Sequence, residues 1–329
     1  MVCECILVGD TGTGKADQYR VAKSMEKLIR RKDTDIKRVM IVGDNIYPNG
    51  CYGVKDPQFY HKFQKPYRNI HLPFYLCLGN HDYSQIVSDN SQAQIDYTAS
   101  DYNVTLTDGT KKWNMPSKWY MESFDNCDFF FLDTNMDRLK TKEIDEQLKY
   151  MIREIKQSKN LWKILCGHHT WRSVGGHGNA KSDMPRFEQF MNDLLSKVHI
   201  DLYVCGHDHC KSIIEVGRNG VPTLVIGTGG KKYDEHLYFP KNMDEDGSKL
   251  KFFSPELGVC HFKATKDSIT LTCYTEEREQ EGDGREQRPK KEFKYTIFGK
   301  RERGSKKKKK SRRRKRSKRR MRRRISRRT

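Results

Sequence analysis

The sequence predicts an α/β fold built from stacked layers. Three observations carry that expectation. Short apolar runs rich in β-branched and aromatic residues recur along the chain, each the length of a buried strand. Helix-like segments separate several of them, and that alternation is the signature of a sheet covered by helices. After residue 205 the helices give out and strand-like runs follow one another, so this half is expected to be antiparallel.

Taken in order, the strand-like runs of the first part are 5–8, 39–42, 74–78, 129–132, 162–165 and 201–204. Apart from Lys163 and Asp201 they are apolar throughout, as strands covered on both faces are. Helical patterns lie over 16–31, 143–157 and 184–197. Asp183 stands as a plausible N-cap of the third, with Glu188 and Asp193 along it. The later strands are 212–216, 221–226, 259–264, 269–274 and 292–298. Residues 83–118 and 229–256 are polar with little periodicity and read as long loops. Residues 276–291 read as a charged hairpin or linker.

The chain has 329 residues and a formal net charge of +21. The charge is not spread evenly. The last 30 residues, Lys300 to Thr329, hold 21 Lys/Arg and one acid, Glu302. The first 299 hold 43 basic and 42 acidic residues. The organisation is therefore a nearly neutral body over 1–299, read as one domain, and a Lys/Arg-rich segment over 300–329, which cannot bury a core and is expected to be disordered. This excludes a uniformly basic domain and a mostly disordered chain.

No apolar stretch approaches the roughly 20 residues that span a bilayer. The start, MVCECILVGD, lacks the basic opening and the long apolar run of a signal peptide. An intracellular (cytoplasmic or nuclear) or virion-associated setting is expected. Ten cysteines have no CxxC pairing and read as buried free thiols. The triplet Asn103-Val104-Thr105 reads as a chance glycosylation match.

Metal-binding side chains cluster where strands end. Gly9-Asp10 follows the first run, Gly43-Asp44-Asn45-Ile46-Tyr47 the second and Gly79-Asn80-His81-Asp82 the third. Gly167-His168-His169 and Gly206-His207-Asp208-His209 follow two later ones. In open α/β sheets ligands bind beyond the carboxyl ends of the strands. One such block is weak evidence, but five in sequence point to a metal site. The donors are oxygen and nitrogen without paired thiolates, which suits iron, zinc or manganese.

At these residues the sequence resembles the calcineurin-like metallophosphoesterase superfamily, and within it the purple acid phosphatases of the small tartrate-resistant type. The superfamily has Asp-x-His in its first block, whereas here Asp10-Thr11-Gly12 lacks the histidine. The purple branch instead has a tyrosine three residues after the second-block Asp, and Tyr47 stands there. The likeness spans about 3–300 and includes GDNIYPNG, GNHDY, GHHTWRSVGGHG and CGHDH. It implies a four-layer α-β-β-α sandwich of two mixed sheets with flanking helices.

The resemblance also implies a two-metal site. Asp10, Tyr47 and His209 would hold one ion, Asn80, His168 and His207 the other, and Asp44 would bridge them. Tyr47 implies Fe(III) at the first site, with Fe(II), Zn or Mn at the second. His81 and His177 would be the substrate-side catalytic histidines. The activity implied is hydrolysis of phosphate monoesters by in-line attack of a hydroxide bound to the metal pair, with no phosphoenzyme. His169, where mammalian relatives carry Tyr, is expected to face solvent. Asp82 and Asp208 are expected to orient neighbours, and Asp133 to be structural.

Two other functions compete. One is a phosphodiesterase or nuclease of the same superfamily, held on nucleic acid by the basic segment. The other is a non-enzymatic polyanion-binding or packaging protein that keeps a phosphatase scaffold. The segment Lys300–Thr329 has no aromatic residue, so it is expected to bind nucleic acid or another polyanion without reading sequence, or to direct nuclear import.

Overall fold

Two mixed seven-stranded sheets lie face to face in the computed structural model, with helices on their outer sides. The structure describes residues 1–83, 90–217, 220–232, 247–276 and 289–299. The expected basic segment 300–329 lies outside these residues.

The chain opens with β1 (Cys3–Val8), α1 (Ala16–Ile29), β2 (Val39–Val42) and β3 (Phe74–Cys77). It continues through α2 (Ser91–Tyr97), β4 (Trp113–Asn114), β5 (Tyr120–Phe124), β6 (Cys127–Phe131), α3 (Thr141–Gln157) and β7 (Trp162–Cys166). Then come α4 (Ala180–Asp183), α5 (Pro185–Lys197), β8 (Leu202–Cys205), β9 (Lys211–Glu215) and β10 (Pro222–Ile226). The described strands end with β11 (Lys249–Ser254), β12 (Gly258–Ala264), β13 (Ser268–Thr275) and β14 (Lys290–Phe298). One sheet has the order β14-β13-β12-β1-β2-β3-β4, the other β11-β9-β10-β8-β7-β6-β5.

The continuous apolar runs have a direct explanation in strand alternation. Phe129, Phe131, Ile164, Cys166, Leu202, Val204 and Leu224 face the core between the sheets. Their neighbours Phe130, Leu165, Tyr203, Cys205 and Val225 face the outer core under α3 and α5. Both faces are covered, so both alternating sets are apolar. On α5, Phe187, Phe190, Met191 and Leu194 recur at helical spacing and are buried. Each such side chain contributes about 1.5–3 kcal/mol relative to exposure. All ten cysteines are buried and free.

Several expectations need correction. The later half is not purely antiparallel, because β10 pairs parallel with β8. Asp183 does not cap the third long helix. It ends the one-turn α4, and Pro185 opens α5 at the first helical position, where its missing N–H costs nothing. The stretch 83–118 is not one loop, since it holds α2 and β4, and 229–256 holds β11. Residues 84–89 and 233–246 within these stretches lie outside the described residues. β13 and β14 pair antiparallel with Thr275 opposite Lys290, so 276–289 connects a hairpin, of which 277–288 lie outside the described residues. Asn103 is buried and its amide donates to the Thr98 and Trp113 carbonyls, which gives it a structural task.

Candidate metal centre

The strands β1, β2 and β3 run parallel in one sheet and β6, β7, β8 and β10 in the other. Their C-terminal ends meet where the two sheets join, with Gly9 N–H donating to Ile226 O at 2.8 Å and Gly229 N–H to Gly9 O at 2.9 Å. The first residues past these ends must turn abruptly. Asp10, Asp44 and His207 do so with φ of 58°, 53° and 67°, a left-handed conformation that costs non-glycine residues energy. Three of the four non-glycine residues with positive φ among the described residues are thus candidate ligands.

The seven candidate ligands converge as two groups. In one, the Tyr47 hydroxyl lies 3.0 Å from Asp10 Oδ1 and 3.4 Å from His209 Nε2, and His209 Nε2 lies 3.3 Å from the same Asp10 oxygen. In the other, Asn80 Oδ1 lies 3.0 Å from His168 Nε2 and 3.1 Å from His207 Nδ1, and the two imidazole nitrogens are 3.2 Å apart. Asp44 stands between them: its Oδ1 is 3.3 Å from His168 Nε2, and Asp10, Asp44 and His168 offer ligand atoms all within 4.8 Å of one another.

Glycines make this convergence possible by leaving space for the ligand of another block. A Cβ at Gly79 would lie 2.2 Å from Asp44 Oδ1, and one at Gly206 would lie 2.3 Å from Asp10 Oδ2. A Cβ at Gly43 would lie 2.5 Å from His168 Nδ1. At these three positions the glycine therefore serves two ligands, the one that follows it and a neighbour's.

The electrostatics fit a cation. Asp10 and Asp44 are fully buried, and among the described residues their charged neighbours are imidazoles, with no Lys or Arg paired to either. Buried carboxylates without such partners are costly unless they coordinate a metal. Burial opposes ionisation of Asp10, but the His209 hydrogen bond and the nearby His168 outweigh it and hold the carboxyl below its ordinary range. Burial also pulls His168 down, and the facing Asp44 and Asp10 outweigh it and hold this imidazole up. Burial pushes the Tyr47 phenol well up, reinforced by Asp10 and Asp44. His207 is pushed well down by burial and then by the neighbouring imidazoles, which keeps it in the neutral form that binds metals. The observed donor spacings match the polyhedron edges of about 3.0–3.4 Å expected for metal–ligand bonds near 2.1 Å. The residues present fit a metal pair.

The two expected catalytic histidines flank this cluster. His81 donates its main-chain N–H to Asp44 Oδ1 at 2.9 Å, and its ring sits 4.5 Å from the Tyr47 ring. The His177 ring stacks on His207 at 3.8 Å, and its main-chain N–H donates to Asp208 Oδ1 at 2.9 Å. The loop carrying His177 is tied to the first turn of α5, where Glu188 accepts from Trp171 Nε1 at 2.9 Å and Arg172 at 2.8 Å.

Asp82 is buried and accepts from the main-chain N–H groups of Gly79, Asn45 and Ile46, fixing the second and third blocks together. Burial and the nearby Asp44 raise it to about 7 against these bonds. Asp208 accepts from Ser173 and His177, and Asp133 accepts from Tyr83 and Asn135. His169 is a correction. It is buried, not solvent-facing, with Nδ1 2.7 Å from Thr134 Oγ1 and its ring 4.6 Å from that of His207. The reason is Thr134, whose hydroxyl also accepts the N–H groups of His168 and His169 at 3.2 and 3.0 Å and folds that turn inward. Sequence reasoning missed Thr134 as a site residue, although its position just past a strand end was a signal. It also missed Lys231, whose ammonium lies 4.1 Å above the Tyr47 ring centroid.

The architecture and the cluster at its parallel strand ends define a class of metal-dependent hydrolases, and comparison with known proteins agrees. The family model of calcineurin-like phosphoesterases matches residues 5–211. Purple acid phosphatase 4 of Arabidopsis thaliana is 30% identical over 295 residues, which cover 82% of this chain and 79% of that protein. Tartrate-resistant acid phosphatase type 5 of Mus musculus is 26% identical over 233 residues, covering 63% of this chain and 64% of that one. Among solved structures, the purple acid phosphatase PPD1 from yellow lupin superposes with a TM-score of 0.65 at 18% identity, over 91% of this chain and 54% of that one. GAP50, described as the anchor in the inner membrane complex of Plasmodium, superposes with a TM-score of 0.70 at 19% identity, over 91% and 89%. These two structures speak for the fold alone.

The chain belongs to the calcineurin-like phosphoesterase family, and within it to the purple acid phosphatase branch. It is a metal-binding hydrolase of the phosphoesterase class. No helix among the described residues is long and apolar enough to cross a membrane.

Proposed function

We propose that the chain hydrolyses phosphate monoesters as an acid phosphatase with two metal ions. Asp10, Tyr47 and His209 hold the first, Fe(III), and Asn80, His168 and His207 hold the second, Fe(II), Zn or Mn. Asp44 serves both. The observation that supports this most is the position of the Asp44 carboxylate between two complementary donor groups, within 4.8 Å of donors from each sheet. When bound, the metal pair supplies a water of lowered pKa and a Lewis-acid clamp on the phosphoryl oxygens.

The chain supplies the remaining chemistry. His81 and His177 approach the cluster from the Tyr47 side and the His207 side. Each is placed to donate to a phosphoryl oxygen or to pass a proton to the departing alkoxide. Asp208 fixes the main chain at His177, and Asp44 fixes it at His81. The displacement is direct, and trapping a phosphorylated side chain would overturn that part of the reading.

The test is metal analysis of the full-length protein, then turnover of p-nitrophenyl phosphate and bis(p-nitrophenyl) phosphate across about pH 4–8. The reading expects two metals per chain and a clear preference for the monoester. Preference for the diester would favour the nuclease alternative, and metal-loaded protein inert on both would favour the non-enzymatic one.

A further inference from the structure

The segment after β10 lies directly against the metal-binding blocks. Gly227 N–H donates to Cys210 O at 3.1 Å, and Gly229 N–H donates to Gly9 O at 2.9 Å. A Cβ on Gly227 would lie 2.8 Å from Asp10 Oδ2, and one on Gly230 would lie 2.6 Å from Thr11 O. Thr228 is anchored elsewhere, its hydroxyl donating to Gly258 O at 3.2 Å. The glycines therefore let the main chain approach the first block to contact distance. Lys231 is the first long side chain past β10, and it emerges at the candidate metal centre.

Lys231 is half-buried, and its ammonium lies 4.1 Å above the Tyr47 ring centroid. The hydroxyl of that ring is 3.0 Å from Asp10 Oδ1, and the His81 ring is 4.5 Å from it. The cation thus stands one aromatic ring away from the candidate ligands, beside Tyr47 as His81 is. Lys62 offers a contrast. Its ammonium donates to Tyr47 O and Gln58 Oε1, which commits it to holding the loop. Among the described residues no carboxylate pairs with Lys231 and no hydrogen-bond acceptor meets its ammonium. An ammonium carries three donors, and a ring face engages only its charge. Lys231 therefore keeps its donors available beside the place where a phosphoester would bind.

We propose that Lys231 determines specificity by binding a second anionic group on the alcohol portion of the substrate, an inference that rests on the phosphomonoesterase reading of the same centre. The metal pair, His81 and His177 serve the phosphoryl group that is transferred. Lys231 stands to one side of them, where the leaving group can reach it. A neutral alcohol gains nothing from an ammonium, whereas a carboxylate or a further phosphate forms a charge-assisted hydrogen bond with it. The lysine is a point charge on a flexible stem, so it reads the presence of the anion and not a planar shape. The substrate class that fits is a small phosphate monoester whose alcohol is itself an anion. The contact is made to a part of the substrate that does not react, so its effect belongs in KM.

Ethyl phosphate and phosphoglycolate make a matched pair, because a carboxylate in the second replaces the methyl group of the first. Metal-loaded full-length wild type should show the lower KM for phosphoglycolate. Lys231→Gln should raise that KM about five- to tenfold more than the KM for ethyl phosphate. Lys231→Arg keeps the charge and should retain the preference. Calorimetric titration with phosphonopropionate and propylphosphonate, which are not hydrolysed, reads the same contact without turnover. The ratio of their Kd values should depend on Lys231 in the same way. Equal changes for the charged and neutral ligands in Lys231→Gln would overturn the inference, and so would a wild type that does not distinguish them. If that protein still turns over ethyl phosphate, the phosphatase reading stands. A protein inert on both esters whose Kd ratio still depends on Lys231 would overturn the phosphatase reading and keep the anion contact. Binding of neither phosphonate would overturn the anion contact.

Discussion

The main-chain N–H of Tyr47 donates to the carbonyl oxygen of Gly12 across 2.9 Å. Gly12 N–H in turn donates to Asp44 O at 3.2 Å, so the first and second blocks are joined backbone to backbone. The contact leaves no room for a side chain at position 12, where a Cβ would lie 1.9 Å from Asn45 O. The missing first-block histidine and the Tyr47 phenol are thus one structural fact. The glycine allows the close approach, and the close approach sets Tyr47 over Asp10.

Restoring the histidine should therefore fail. Gly12→His is expected to cost more than about 2 kcal/mol, through overpacking against backbone that cannot yield. It should also reduce metal content, because Tyr47 and Asp44 shift with the strand ends. Thermal melts and metal analysis of the variant check this.

Thr134 is expected to matter although it touches no metal donor directly. Thr134→Val removes the acceptor of two buried N–H groups and the partner of His169, with an expected cost of about 1–3 kcal/mol. Thr134→Ser should restore most of it. Denaturant unfolding of both variants separates the hydroxyl from the methyl group.

His81→Ala and His177→Ala should each lower kcat by about 10²–10⁴ while leaving two metals bound. Neither imidazole belongs to the two donor groups. Loss of metal in either variant would move that histidine from the substrate side to the ligand set.

Lys112 gives a pH signature far from the chemistry. It is 3% exposed, and its ammonium donates to Tyr67 O at 2.6 Å. Burial lowers its pKa to about 8 from an ordinary 10.5. Between these values the unfolded chain binds more protons than the folded one, so this residue makes stability rise with pH over that window. Melting curves of wild type and Lys112→Met should diverge there, the variant lacking the rise.

Much of the site was legible because each ligand sits just past a run that is apolar on both faces. Val8 to Asp10, Val42 to Asp44 and Cys205 to His207 are abrupt changes that sequence records directly. What escaped was held by polar contacts. α2 buries Ser91, Gln94 and Tyr97 and is anchored by Gln94 to Asp82, so it shows no apolar period. β11 alternates Lys with half-buried residues at a sheet edge and carries a bulge, which hides its strand pattern. The burial of His169 depends on a hydroxyl 35 residues away in sequence, and no local pattern announces it.

The central claim is that one carboxylate, Asp44, unites two metal sites. Metal content and monoester turnover of Asp44→Ala against wild type test it most directly. The account predicts loss of both metals together and turnover reduced to background in a protein that still folds. An Asp44→Ala protein that keeps two metals per chain and hydrolyses the monoester at the wild-type rate would contradict it.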